Sequence, residues 1–209
     1  MREIITNIKK PELVARRREQ IMQTALVLFR KNGYHATNMR EICAKAKVNR
    51  GSFYDYFRSK EDILVYIYQQ MFDRQKNSEK IQREVNISRW KDLGPYIKSV
   101  LSKSWNRNKH RIQLMYRETI SLDPKTLQEV LKAESSYVKR VAENLRKGLG
   151  LAAVTEELEI IANAMVFFNA FVPLRGWNIA HLDQEKTLSF VTDMLMMRLR
   201  KLKNSGKSE

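Results

Sequence analysis

TNMREICAKAKVNRGSFYDYFRSK, from Thr37 to Lys60, decides how this chain is read. Met39, Ile42, Cys43 and Ala46 recur at three- and four-residue spacings, so a short helix here buries them on one side and turns Arg40 and Lys45 outward. Thr37 stands where it would cap that helix. Ala46, Lys47 and Val48 make a turn, Asn49 caps a second short helix, and Phe53, Tyr54, Tyr56 and Phe57 close it. Two short amphipathic helices about a tight turn are a helix-turn-helix. The second is left with Asn49, Arg50, Ser52 and one phenol facing outward. That face suits a major groove, with donors for base edges and phosphates and little bulk to hold the helix away.

The charge of the chain agrees with a polyanionic partner. The net charge is +16 over 209 residues. Residues 1–62 hold 14 Lys and Arg against 7 Asp and Glu, so the basic excess per residue is about twice that of the remainder. Each phosphate neutralised by such a surface releases counterions and adds affinity for any sequence. A single cysteine makes no internal disulfide, and no Cys or His spacing suggests a structural metal. The N-terminus lacks a signal-peptide core, and no run approaches the ~18 apolar residues of a membrane span. A soluble, cytoplasmic protein without a membrane partner is expected.

Outward from the motif, the pattern is helical throughout. Residues 1–12 read as a basic arm. Leu13 to Asn32 is a helix with Ile21, Ala25, Leu28 and Phe29 on one face, ended by Gly33. With the helix-turn-helix it makes a three-helix head whose core is expected at Ile21, Ala25, Phe29, Ile42, Val48, Phe53 and Phe57. Ser59 caps a helix running to about Gln82, whose polar end, Gln75 to Arg83, is a candidate bridge. Further helices are expected at Leu93 to Arg107, His110 to Ser121, Pro124 to Lys147, Glu156 to Val172 and Gln184 to Lys203. Asp123 caps the third of these, Gly148 and Gly150 break the chain after it, and Pro173 and Gly176 end the fourth. The architecture is therefore all-α, a head at 1–62 and a body at 63–209.

The stretch Phe29 to Leu64, FRKNGYHATNMREICAKAKVNRGSFYDYFRSKEDIL, resembles the DNA-binding domain of the TetR family of bacterial transcriptional regulators. The features that carry the resemblance are Asn32-Gly33-Tyr34, Thr37, Ile42, Gly51-Ser52-Phe53-Tyr54, Tyr56-Phe57 and Lys60-Glu61, in that order and spacing. Two residues depart from the pattern. Lys47 replaces the usual glycine, placing a left-handed residue at a cost of about 1–2 kcal/mol and a cation beside the groove, and Cys43 replaces a small alanine. The resemblance implies that Thr37, Tyr54, Tyr56 and Lys60 hold phosphates, that Arg40, Asn49, Arg50 and Ser52 face the bases, and that Gly51 lets the backbone come close. It implies a homodimer on double-stranded DNA carrying an inverted repeat, with the last two helices forming a four-helix bundle with their copies. Their sequences carry apolar residues over wide faces, and the surplus beyond one packing stripe, including Phe190, Met194, Met196 and Met197, suggests a subunit interface, for which Phe167, Phe190, Met194 and Leu195 are the candidates.

For the body, Trp105, Met115, Tyr116, Tyr137, Phe168 and Phe171, with Glu118 and Asn169 near them in sequence, have the mixture of a mostly apolar ligand site. On composition alone an ordinary core explains them better. The resemblance favours an effector site, and the basic excess points to an amphipathic anion such as a fatty acid or acyl thioester. Enzyme chemistry finds no support: His35, His110 and His181 fall in separate segments, and no phosphate loop, nucleophile elbow or metalloprotease motif occurs. No cofactor is expected. Cys43 reads as a buried, inert thiol, the alternative being a redox sensor. The expected function is a sequence-specific DNA-binding regulator, a repressor released by an effector; the alternative is a constitutive architectural DNA-binding protein.

Overall fold

A computed structural model of the chain describes residues 10–77 and 87–205. Residues 1–9 of the arm expected at 1–12, the continuation of the polar bridge past Asn77 and the residues after Ser205 lie outside the described residues, and the end of the expected arm is helical, since α1 begins at Pro11. All regular structure among the described residues is helical: α1 Pro11–Asn32, α2 Met39–Ala46, α3 Arg50–Tyr54, α4 Lys60–Asn77, α5 Trp90–Asn106, α6 Lys109–Glu118 with a 3₁₀ turn at Thr119–Ser121, α7 Pro124–Leu149, α8 Glu156–Ile179 and α9 Gln184–Ser205. The chain divides into two compact units. One is Met1–Met71 with Leu114–Val130; the other is Phe72–Gln113 with Leu131–Glu209.

In the first unit the head is built on aromatic and aliphatic burial. Ile21, Ala25, Phe29, Ile42, Phe53 and Phe57 are all at most 1% exposed, as the periodicity requires, and Met22, Leu28, Tyr34, Cys43 and Ala46 complete the core. Val48 does not join them: it is half-buried, because its role is at the turn, where its N–H closes onto the Cys43 carbonyl at 3.1 Å. Lys47 has φ 53°, the left-handed conformation expected of a residue standing at a glycine position. Tyr34 lies edge-on to Phe29 at 5.0 Å, and the Arg18 guanidinium sits about equally near Phe57 and Tyr66, at 5.9 and 6.0 Å. From α4, Ile63, Leu64 and Ile67 are fully buried.

The cap of α2 is Asn38, not Thr37. Asn38 Oδ1 accepts from the Glu41 N–H at 2.9 Å, while the Asn38 N–H donates to Glu41 Oε2 at 2.9 Å. This reciprocal pair is a capping box, which a carboxylate three residues after the cap makes possible and which Thr37 lacks. The other expected caps form. Asn49 accepts from the Ser52 N–H at 2.7 Å, Ser59 from Asp62 at 3.2 Å, and Asp123 from Thr126 at 3.1 Å.

In the second unit α5, α8 and α9 pack on one another. Leu93, Ile97, Leu101, Leu158, Ala162 and Leu199 are fully buried among them, and Leu145 of α7 is fully buried as well. Pro173 and Gly176 do not end α8, which continues to Ile179. Proline inside a helix costs about 3 kcal/mol, so the packing of this helix, with Pro173 itself buried, overrides the propensity. The Pro173 carbonyl accepts from Gln113 Nε2 at 2.8 Å, while the carbonyl that the ring deprives of a helical donor is that of Asn169. Gly148 likewise lies inside α7, and the break comes at Gly150, with φ 71°. Gly148 serves close approach: a Cβ on it would stand 2.4 Å from Leu93 Cδ2 and 2.6 Å from Leu93 Cγ.

That contact sets the first expected outcome. Gly148→Ala gains up to about 1 kcal/mol of helix propensity, but forces a fully buried leucine to move, an overpacking that costs about 1–3 kcal/mol. Chemical denaturation at fixed protein concentration should show net destabilisation; a variant as stable as the unmodified chain would mean that Leu93 repacks freely.

Candidate nucleic-acid interface

The helix-turn-helix presents its polar residues as a single short strip. α3 is only five residues long, and its one buried side chain is Phe53. Arg50, Gly51 and Tyr54 are exposed along it, Ser52 is half-buried, and Arg40 and Lys47 are exposed on α2 and the turn. Asn49 is exposed too, but its side-chain oxygen is engaged as the cap of α3, which leaves its NH2 group as the donor available to an outside partner. A Cβ on Gly51 would meet only Asn49 Oδ1, at 3.5 Å, so the backbone of α3 is open on this side.

Three other residues of the expected set turn inward. Thr37 is 1% exposed and its hydroxyl donates to the Gly33 carbonyl at 2.7 Å. Tyr56 is buried. The Lys60 ammonium donates to three carbonyls of the loop between α1 and α2: Tyr34 at 2.8 Å, Thr37 at 3.1 Å and His35 at 3.2 Å. It also stands 4.5 Å from the centroid of the Tyr34 ring. These side chains hold the frame beneath the exposed strip.

The same loop is tied on its other side. His35 Nε2 lies 3.2 Å from Glu118 Oε2, and Arg117 Nε donates to Glu118 Oε1 at 2.8 Å, so a carboxylate that is almost wholly buried has two partners. Sequence reading left His35 without a partner because Glu118 is far away in the chain. Tyr34 donates to Glu61 Oε1 at 3.3 Å, and burial, followed by the Glu61 carboxylate, raises its phenol well above the ordinary tyrosine range. Burial also raises the Cys43 thiol, with the Arg50 charge partly offsetting it. A buried thiol held protonated is a poor nucleophile.

Of the residues expected around a ligand, the second unit brings five together. Trp105 is buried and donates from Nε1 to the Phe168 carbonyl at 2.9 Å; its ring lies 6.5 Å from that of Phe171, and Phe171 lies 6.1 Å from Phe168. Asn169 accepts from Ser104 at 3.1 Å and donates to the Tyr137 hydroxyl at 3.4 Å. Met115, Tyr116 and Glu118 belong to the first unit, where Met115 and Glu118 are buried and Tyr116 is exposed. The Met115 carbonyl accepts from the Tyr68 hydroxyl at 2.7 Å.

The surplus apolar residues of the last two helices divide sharply. Phe167 is 61% exposed, Phe190 71% and Met194 39%, whereas Leu195 is 4% exposed and belongs to the packing within one chain. Leu195 falls in register with Leu188, Val191, Leu199 and Leu202, all buried; Phe190, Met194 and Met197 form the opposite, open stripe. Ile160, Phe167 and Trp177 are the exposed large apolar residues of α8.

A three-helix head with a helix-turn-helix, carried on an otherwise helical chain, defines a class of DNA-binding proteins. Residues 21–67 match the sequence model of "Bacterial regulatory proteins, tetR family". It is 39% identical over 66 residues to "HTH-type transcriptional regulator HbdR" of Aromatoleum sp. (strain CIB), a match that covers 32% of this chain and only 29% of that relative's length. It is 27% identical over 156 residues to "Fatty acid metabolism regulator protein" of Bacillus subtilis (strain 168), covering 71% of this chain and 76% of the relative. The fold is shared with the transcriptional regulator FadR from Bacillus subtilis, solved in complex with stearoyl-CoA, at TM-score 0.65 and 18% identity, over 87% of this chain and 96% of that one.

Proposed function

We infer that the protein is a sequence-specific DNA-binding transcriptional regulator, a repressor released from its operator by a small, mostly apolar effector. The observation that carries this reading is α3, anchored from beneath by Phe53 while Arg50, Gly51 and Tyr54 stand exposed beside Arg40 and Lys47. In this reading residues 1–62 bind DNA and residues 63–209 bind the effector and dimerise. Arg40, Asn49, Arg50 and Ser52 face base edges, Lys47 and Tyr54 meet phosphates, and Gly51 admits the backbone. Thr37 and Tyr56 act from below by holding the frame. Two copies of one head related by a twofold axis require an inverted repeat in the DNA. The open stripe of Phe167, Phe190, Met194, Met197 and Ile160 supports pairing of α8 and α9 with their copies, since exposed aromatic and methionine side chains gathered on adjacent helices are costly to leave in water. The cytoplasm is the fitting compartment, and no step of catalysis is assigned.

Arg50→Ala should change which bases are preferred, because a base contact carries about 1–3 kcal/mol of discrimination. Titrations on operator variants at several salt concentrations would show it. An unchanged preference with a shallower salt dependence would make Arg50 a phosphate ligand.

Phe190→Asp should weaken self-association and operator binding together while leaving the fold of each chain intact, because Phe190 lies outside its core. Sedimentation measures the first and a titration the second. A monomeric unmodified protein at micromolar concentration would end this part of the reading.

For the effector, the cluster of Trp105, Tyr137, Phe168, Asn169 and Phe171 supplies aromatic surface with polar groups at its edge. The name of one relative and the ligand of one structural neighbour both concern fatty acyl chemistry, which supports a fatty acid or acyl thioester here. A ligand that favours the DNA-incompetent state by ~2–3 kcal/mol shifts binding roughly 30- to 150-fold. Fatty acids and acyl thioesters of graded chain length should raise the melting temperature and loosen the operator complex in parallel. Stabilisation without release, or neither, would remove the effector from the proposal.

A further inference from the structure

We propose that Lys60 is a positioning residue for DNA recognition, fixing the loop that carries α2, and that it does not neutralise a phosphate. The inference rests on the reading of the head as a DNA-binding unit and concerns how that unit is held. An ammonium group has three N–H donors and no acceptor. All three are directed at carbonyl oxygens of one loop, those of Tyr34 at 2.8 Å, Thr37 at 3.1 Å and His35 at 3.2 Å. The remaining approach to the charge is flanked by the Tyr34 ring, 4.5 Å away at its centroid. A phosphate oxygen could be reached only by giving up one of these bonds.

The loop needs such a cation. It must leave α1 at Gly33 and start α2 at Asn38 within four intervening residues, and its carbonyls cannot all find partners in a helix. The Thr37 N–H and hydroxyl both return to the Gly33 carbonyl, at 3.3 and 2.7 Å. The outward-pointing carbonyls at 34, 35 and 37 then gather around Lys60, 23 to 26 residues later in the chain. Lys60 is the first residue of α4, so the same group that fixes the loop is fixed by the helix that follows the head. Directly after the loop come the capping box of Asn38 and Glu41 and the exposed Arg40. Loosening the loop therefore misplaces Arg40 and the start of α2 without removing a charge from the DNA surface.

The two roles differ in what salt does to them. A lost phosphate contact reduces the slope of log K against log salt by about 0.9, whereas a misplaced frame lowers affinity with little change of slope. Binding of Lys60→Met and Lys60→Arg to duplex DNA from beside the protein's own gene, and to a random duplex, would be measured from low to moderate salt, with Lys47→Met as the variant expected to lose slope. The unmodified protein comes first: absence of any binding to either duplex refutes the DNA-binding reading itself, separately from the role of Lys60. The expected result is that Lys60→Met loses about tenfold in affinity, as removal of charge-assisted hydrogen bonds implies, at an unchanged slope. Amide exchange at Thr37 and Glu41 in the free protein should quicken in Lys60→Met and not in Lys47→Met. Lys60→Arg decides the matter if the methionine variant does not fold. A phosphate accepts a guanidinium at least as well as an ammonium, but a planar fork cannot donate to three carbonyls converging on one point, so the arginine variant should also bind about tenfold more weakly, by the same loss of hydrogen bonds. Full affinity in Lys60→Arg, or a slope reduced by about 0.9 in Lys60→Met, would overturn the proposal.

Discussion

Burial of Phe53 is the contact on which the head depends. A helix of five residues cannot hold itself, since isolated helices shorter than about 12 residues are marginal in water. α3 has one buried side chain and one side-chain cap, Phe53 and Asn49, and its position follows from them. Phe53 lies 6.0 Å from Phe57, and Phe57 is covered by Arg18 and Tyr66, so the anchor of α3 is shared with α1 and α4. The exposed strip is thus a surface carried by other elements' packing. The order of dependence runs from aromatic core to caps to polar face.

Around that core, charge is used for shape as much as for attraction. Lys60 gathers three carbonyls and Glu118 joins His35 to Arg117. These groups belong to the same compact unit, and that unit includes Leu114–Val130 as well as the N-terminal residues. The loop between α1 and α2 is consequently held by α4 on one side and by the end of α6 on the other. A displacement of α6 at Glu118 would be felt at His35, three residues before the cap of α2.

Much of this was legible in the sequence, and the misses have physical reasons. Periodicity located the helices and most of the buried set, because spacing at three and four residues is a local property. The caps at Asn49, Ser59 and Asp123 were legible for the same reason. The cap of α2 was misread although the signal was present: Asn38 with Glu41 three residues on makes a reciprocal box, and Thr37 has no such partner. Apolar residues cover a wide face of α9, which puts Leu195 among the candidates for the interface, and only packing against α5 and α8 reveals which stripe is used. Pro173 was read as a stop because propensity is local, while the burial that overrides it is not. The inward turn of Lys60 and the pairing of His35 join residues more than 20 positions apart. No spacing rule announces them.

The brevity of α3 also limits how much a single head can say. Five residues at about 1.5 Å each rise roughly 7.5 Å, the length of little more than two base-pair steps. Even with long side chains at both ends, such a helix addresses roughly four base pairs, a word that recurs about once in 256 positions. A genome offers about a million or more competing sites. If two heads bind together, as proposed, the address is written twice, in two words at a fixed distance, and the distance itself becomes part of the message.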